Sequence, residues 1–148
     1  MSKKLWGGRF ESDTDALVEQ LGESVSFDAR LAPWDIRASI AHARMLGDCE
    51  IIPKADVKKI IRGLTDIGKE IESGTFRFDT ALEDVHMNIE SALTERIGDA
   101  GKRLHTARSR NDQIATDTRL WLRDQLDTID GQIRALQTAM VDFAETHI

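Results

Sequence analysis

A long run of helical heptads late in the sequence constrains the fold more than any other feature. Its apolar residues alternate four and three positions apart, at Leu122, Leu126, Ile129, Ile133, Leu136, Met140 and Phe143, which we call the heptad stripe. This spacing is typical of the a and d positions of helical bundles. A helix over residues 109–148 would extend about 60 Å, beyond a compact domain of this length. We therefore expect further helices, from the same polypeptide or from partner subunits, to cover the stripe.

The rest of the sequence predicts helices joined by short polar breaks, with no strand pattern. Apolar residues at helical spacing predict a short helix over 13–21, a helix from Pro33 to Leu46 and a helix from Pro53 to Gly74. A further helix starts at Asp79 or Thr80 and carries Leu82, Val85, Ile89, Leu93 and Ile97. With 148 residues, 41% hydrophobic and 31% charged, the chain is predicted to be an ordered all-α protein.

Charge and cysteine content narrow the classes of partner. A net charge of -6 disfavours bulk attraction to nucleic acid or to anionic membranes, so any anion site must be local and its ligand small. The chain has neither a signal-peptide pattern nor a long apolar stretch, which predicts no membrane insertion. The single cysteine, Cys49, is predicted to pack in the core, and it fits a reducing, cytoplasmic location.

A cluster of cations stands where the last helix is predicted to begin. Residues 101–113, the basic segment, hold Lys102, Arg103, His105, Arg108 and Arg110, and also the capping residues Ser109, Asn111 and Asp112. Cations oppose the dipole at a helix N-terminus, whereas the free backbone N–H groups there attract anions. The segment therefore predicts a small-anion site. A solvated loop, or a phosphate or RNA contact, is the alternative on spacing alone.

Three motifs carry a family resemblance. They are the arm at residues 5–10, the segment at residues 82–86 and, most specifically, the sequence LHTARSRNDQ at residues 104–113. In these motifs the chain resembles the N-terminal part of the argininosuccinate lyase family, within the fumarase and aspartase superfamily. One departure is Ala107, where the family often has glycine, and we expect an ordinary backbone conformation there. The delta-crystallins of lens belong to the same family.

The resemblance implies an organisation and a reaction. Residues 1–107 would form an N-terminal helical domain with an irregular arm, and residues 108–148 the first long helix of a central bundle. The family splits argininosuccinate reversibly into arginine and fumarate by β-elimination, with no metal and no organic cofactor. Its members are homotetramers whose active sites are shared between subunits. By the same resemblance, the substrate-binding residues are Ser24, Asp84, His86, Thr106, Ser109, Arg110 and Asn111.

The resemblance also implies what these residues lack. The family's catalytic histidine follows a break containing proline and glycine, and its catalytic serine lies in a mobile loop; neither motif occurs here. Thr146 and His147 imitate the first motif, but they continue the heptad helix. That helix reaches Ile148 without a stop signal, so we expect a fragment that is inactive alone. A non-catalytic helical assembly protein is the alternative. His86 and Glu90 could be interpreted as a metal pair, but two ligands on one helix are a weak signal.

Overall fold

The computed structural model describes residues 15–147, which form an all-α structure, as predicted. Within these residues no β-strand occurs. The helices are α1 (Ala16–Gly22), α2 (Val25–Asp28), α3 (Ala32–Asp48), α4 (Lys54–Glu72), α5 (Val85–Ile97), α6 (Asp99–Lys102) and α7 (Arg110–Thr146). Short 3-10 turns occupy Ala29–Leu31, Thr80–Leu82 and Arg103–His105. The predicted arm at residues 5–10 lies outside the described part of the chain.

The helix predicted to start at Asp79 or Thr80 begins later than expected. Asp79 instead caps the 3-10 turn, where its Oδ1 accepts a hydrogen bond of 2.9 Å from the backbone of Ala81. Glu83 then adopts a φ of +67°, which interrupts the helical path. Asp84 forms the true cap, because its Oδ1 accepts a hydrogen bond of 2.6 Å from the backbone of Met87. The break places Asp84 at the start of α5 rather than inside a helix.

The apolar core lies between α3, α4 and α5. Its most completely buried side chains are Leu46, Ile60, Leu64, Ile67, Val85, Ile89, Leu93 and Leu104. Helix α6 packs closely on α5 at Gly101, where a Cβ atom would lie 2.8 Å from the Cα of Thr94. Glycine is therefore required at that crossing, because no side chain fits against the neighbouring backbone. The packing of α6 on α5 thus fixes the position from which the chain leads, through the 3-10 turn Arg103–His105, to α7.

Cys49 does not pack in the core, contrary to the prediction. It is the exposed C-cap residue of α3, and its backbone N–H donates a hydrogen bond of 2.9 Å to the carbonyl of Met45. Cys49 is exposed because it stands at the end of a helix, and the apolar character of its thiol does not change that position.

Within the described residues, helix α7 is anchored to the other helices through its first half. Gln113 and Asp117 are buried against the other helices, and Trp34 of α3 donates a hydrogen bond of 2.6 Å from its Nε1 to Oδ2 of Asp124. The helix has 37 residues, about 55 Å at 1.5 Å per residue. Its heptad stripe is 47–64% exposed, so no part of the described chain covers it. Among the described residues, no helix is long and apolar enough to cross a membrane.

Candidate functional site

The basic segment leads directly into α7, and Ser109 forms the cap. Its Oγ accepts a hydrogen bond of 3.2 Å from the backbone of Asn111, and Oδ2 of Asp112 accepts one of 2.9 Å from the backbone of Ser109. This reciprocal capping box fixes the first turn of the helix. Ser109 and Asn111 are both exposed. The start of α7 therefore combines the positive end of a helix dipole with two accessible polar side chains.

Arg110 is the cation closest to this cap, and its guanidinium is held on three sides. Nη1 donates a hydrogen bond of 3.2 Å to Oε1 of Gln113, Nη2 lies 3.5 Å from Oε2 of Glu90, and Nε lies 3.6 Å from Oδ2 of Asp84. The Arg110 side chain is 25% exposed. The guanidinium is thus fixed in direction but still reachable, which suits a residue that binds a carboxylate.

Arg108 points inward instead. Its Nη1 donates a hydrogen bond of 3.0 Å to Oγ of Ser39, and that hydroxyl lies 3.5 Å from Oδ1 of Asp35. Burial lowers the pKa of Arg108, while the negative charges of Asp35, Glu90 and Asp117 oppose that shift. Its Nε is buried and has no hydrogen-bond partner among the described residues. Of the two arginines next to the cap, Arg110 is thus partly exposed and Arg108 is directed inward.

His86 is also buried, at 2% exposure, and it lies between two carboxylates. Its Nδ1 is 3.1 Å from Oδ1 of Asp35 and 3.5 Å from Oδ2 of Asp117. Nε2 of Gln113 donates a further short hydrogen bond to the same oxygen of Asp35. We call Asp35, Ser39, His86, Arg108, Gln113 and Asp117 the buried polar cluster. It joins α3, α5 and α7 to the basic segment.

Burial and pairing shift the pKa values in this cluster in opposite directions. Burial raises the pKa of Asp117 to about 7, aided by the neighbouring charge of Asp35. Burial also disfavours the charged forms of Asp35 and His86. Their mutual hydrogen bond and opposite charges prevail, so the pKa of Asp35 falls and that of His86 rises. The arrangement therefore favours the ionised form of Asp35 and the protonated form of His86, next to a carboxyl group, Asp117, whose pKa is about 7.

The same cluster has donor atoms at metal-ligand spacing. One atom each from Asp35, His86 and Asp117 lie within 4.8 Å of one another. However, Nδ1 of His86 would have to give up the proton that it shares with Asp35, and buried Arg108 already supplies positive charge to both carboxylates. We therefore interpret the cluster as a hydrogen-bond and proton network with Arg108 as its counter-ion.

Ser24 lies beside the start of α5. Its Oγ donates a hydrogen bond of 2.6 Å to Oδ2 of Asp28, whose other oxygen accepts one of 3.1 Å from the backbone of Val85. Asp84, the residue before Val85, pairs with Arg110. The structure thus brings Ser24, Asp84 and Arg110, which are distant in sequence, to one region.

Thr106 and Ala107 form the bend before the cap. The carbonyl of Thr106 accepts a hydrogen bond of 3.0 Å from Nε2 of His42 in α3, which ties the bend to the core. Ala107 adopts a φ of +56°, so the expectation of an ordinary backbone conformation there is wrong. The left-handed region favours glycine, and an alanine there carries strain. The bend is needed because the chain reverses between the 3-10 turn and α7.

The other basic residues of the segment each have a carboxylate partner. Lys102 pairs with Asp99 at 2.8 Å, Arg103 pairs with Asp56, and Nδ1 of His105 lies 3.2 Å from Oε2 of Glu90. Lys102 and Arg103 thus pair with acids outside the site, whereas His105 shares Oε2 of Glu90 with Arg110. Sequence spacing treats the five basic residues as one group, but the fold divides them.

Sequence reasoning missed Asp35, Ser39, Gln113 and Asp117. A weak signal exists for the first two. Both fall on the otherwise apolar face of α3 that also carries Ile36 and Ala43, where a carboxylate must find a partner. Gln113 and Asp117 are four residues apart on α7, but nothing local distinguishes them from the many exposed polar residues of that helix.

Comparison with known proteins places this geometry in context. The family model described as lyase matches residues 8–148. A protein from Methylococcus capsulatus named argininosuccinate lyase is 59% identical over 145 residues, which cover 98% of this chain and 31% of the relative. Proteins of the same name from Pelobacter propionicus and Heliobacterium mobile are 58% and 56% identical, each over 100% of this chain and 32% of the relative. The chain spans about a third of the length of the curated relatives that it matches.

Proposed function

The chain belongs to the lyase family, and we propose that it forms the N-terminal part of an argininosuccinate lyase. In this proposal, residues 1–107 form the N-terminal domain and residues 108–148 begin the central helical bundle. The observation that carries the proposal is the arrangement at the start of α7. There Arg110 is oriented and partly exposed beside the cap formed by Ser109 and Asn111.

The chemistry of β-elimination fits these residues. Removing a proton next to a carboxylate generates a dianionic, carbanion-like intermediate, which preorganised donors and cations stabilise. We assign the succinyl carboxylates to Arg110 through its two-pronged guanidinium, and to Ser109 and Asn111 through hydrogen bonds. Ser24 and Asp84 lie on the adjoining side of the site, where Asp84 suits the guanidinium of the substrate. The resemblance also implies that Thr106 and His86 bind substrate. We keep Thr106 as a binding residue at the bend, and, because His86 is 2% exposed, we assign it to support the site from the buried polar cluster.

Under this proposal, the isolated chain does not cleave argininosuccinate. The groups that transfer protons in this family belong to motifs that residues 1–148 do not contain, and each typically contributes a factor of 10² to 10⁴ in rate. Thr146 does not substitute for them, since its Oγ1 bonds to the carbonyls of Asp142 and Phe143 in its own helix. We further propose a cytoplasmic enzyme that needs neither metal nor organic cofactor, and that assembles through the heptad stripe.

The experiment compares turnover with binding. The purified chain is assayed for fumarate release from argininosuccinate, and fumarate binding is followed by NMR titration. We expect no turnover, but saturable binding that Arg110→Met abolishes. Arg119→Met, an exposed substitution on α7, is the matched control and should leave binding unchanged. Clear turnover would refute the inactivity, and equal binding by Arg110→Met would refute the site.

A second candidate is a non-catalytic helical assembly protein. The exposed heptad stripe favours it, because an apolar surface of this length on α7 promotes association whether or not a substrate binds. This candidate predicts oligomers in sedimentation experiments together with no fumarate binding by any variant. The same titration therefore separates the two functions.

A further inference from the structure

Asp35 is the centre of the buried polar cluster. Its Oδ1 is within hydrogen-bond reach of three donors: Nδ1 of His86, Nε2 of Gln113 and Oγ of Ser39. The residue is 1% exposed, so water does not compete for that oxygen. An ionised carboxylate only accepts hydrogen bonds, and it therefore dictates which end of each neighbour faces it.

Gln113 lies between Asp35 and Arg110 and hydrogen-bonds to both. Because the amide NH₂ of Gln113 faces Asp35, its carbonyl oxygen must face the other way. That oxygen accepts the hydrogen bond of 3.2 Å from Nη1 of Arg110. Gln113 is 4% exposed and has no room to turn away into solvent. One of the three contacts that orient the Arg110 guanidinium thus depends on a carboxylate on α3.

Ser39 carries the same constraint to Arg108. Its hydroxyl hydrogen points toward Asp35, at 3.5 Å, which leaves the oxygen lone pairs for Nη1 of Arg108 at 3.0 Å. Both intermediaries are neutral. The amide and the hydroxyl therefore orient each guanidinium without adding a further negative charge next to it.

We propose that Asp35 is a positioning residue for two arginines, acting through Gln113 on Arg110, the proposed anion-binding residue, and through Ser39 on the inward-pointing Arg108. The inference rests on the proposed function for the identity of the anion. The hydrogen-bond relay itself belongs to the fold and can be tested without any ligand. A residue that merely stabilises the core would affect both arginines alike, whereas the two relays should respond separately.

The test uses two mild substitutions in the whole chain. Gln113→Met keeps the size of the side chain and removes the relay to Arg110, and Ser39→Ala removes the relay to Arg108. Gln132→Met, at an exposed position of α7, is the matched control. With ¹⁵N-labelled arginine, NMR measures how fast each guanidinium rotates, and thermal unfolding verifies that every variant is folded. Asp35→Asn is added as the variant that should disturb both relays.

The expected result is a crossed pattern. Gln113→Met should speed rotation of the Arg110 guanidinium about tenfold and weaken fumarate binding by a similar factor, the usual effect of losing one hydrogen bond to a charged group. Ser39→Ala should speed rotation of Arg108 alone. Unchanged rotation in Gln113→Met and in Ser39→Ala, or equal changes at both arginines in either of these two variants, would overturn the relay. Unchanged rotation of both arginines in Asp35→Asn would overturn the role of Asp35. Absence of fumarate binding by the unmodified chain would count against the proposed function and leave the rotation result to decide the relay.

Discussion

Replacing Asp117 with asparagine should make the stability of the chain less sensitive to pH. Asp117 is fully buried, and neither of its carboxylate oxygens has a hydrogen-bond partner among the described residues. Burial raises its pKa from 3.8 to about 7. The folded chain therefore holds this proton more tightly than the unfolded chain. The resulting stabilisation is complete below about pH 4 and is lost as the pH rises to about 7.

The size of the effect follows from the shift. The pKa rises by about three units, and each unit corresponds to about 1.36 kcal/mol, so ionising Asp117 costs the folded state about 4 kcal/mol. Such a cost is a large fraction of the stability of a chain of this size. Asparagine is nearly isosteric with the protonated acid and does not titrate, so Asp117→Asn should not show this loss.

The assay is urea unfolding followed by circular dichroism at about pH 5 and about pH 8.5. The unmodified chain should lose several kcal/mol of unfolding free energy between the two conditions, and Asp117→Asn clearly less. Asp127→Asn, which removes an exposed carboxylate from the same helix, is the matched control and should behave like the unmodified chain. If Asp117→Asn and the unmodified chain lose the same stability between the two pH values, the argument from burial is refuted.

Three further predictions follow from the geometry. Ala107→Gly should stabilise the chain by about 0.5–1 kcal/mol in thermal unfolding, because it relieves a left-handed alanine, while Ala115→Gly inside α7 should destabilise it by about 1 kcal/mol. An NMR titration should find the pKa of His86 above 6.5, because its carboxylate partners outweigh the effect of burial. The stabilisation that comes from its charge is therefore present below about pH 6.5 and is lost as the pH passes the pKa of the folded state. A lower pKa would contradict the pairing. Ile133→Asp should reduce self-association in sedimentation velocity, whereas Thr138→Asp on the opposite face of α7 should not; equal effects would exclude the heptad stripe as the contact surface.

The sequence predicted most of the helices because their signals are local. The apolar spacing of α4 and the proline near the start of α3 act within a few residues of each other. Ser109 was one of three capping candidates, and the structure selects it. The predicted start of α5 was wrong because the chain turns at Glu83, whose positive φ cannot be predicted from a glutamate in the sequence. Cys49 was misplaced because burial depends on where a helix ends.

For the candidate site, the sequence determined which residues can bind an anion, and the tertiary structure decided how they are arranged. The residue types at 108–111 and their place before a long helix already indicate a small-anion site, since capping and helix dipoles are properties of adjacent residues. The partnership of Asp35 with Gln113 spans 78 positions and exists only because α3 and α7 pack together. Hydrogen bonds, burial and pKa shifts between distant residues depend on distances in space, which helical periodicity does not encode. The fold thus gives two neighbouring arginines different surroundings, with Arg110 partly exposed beside the helix cap and Arg108 directed toward Ser39 and the buried polar cluster.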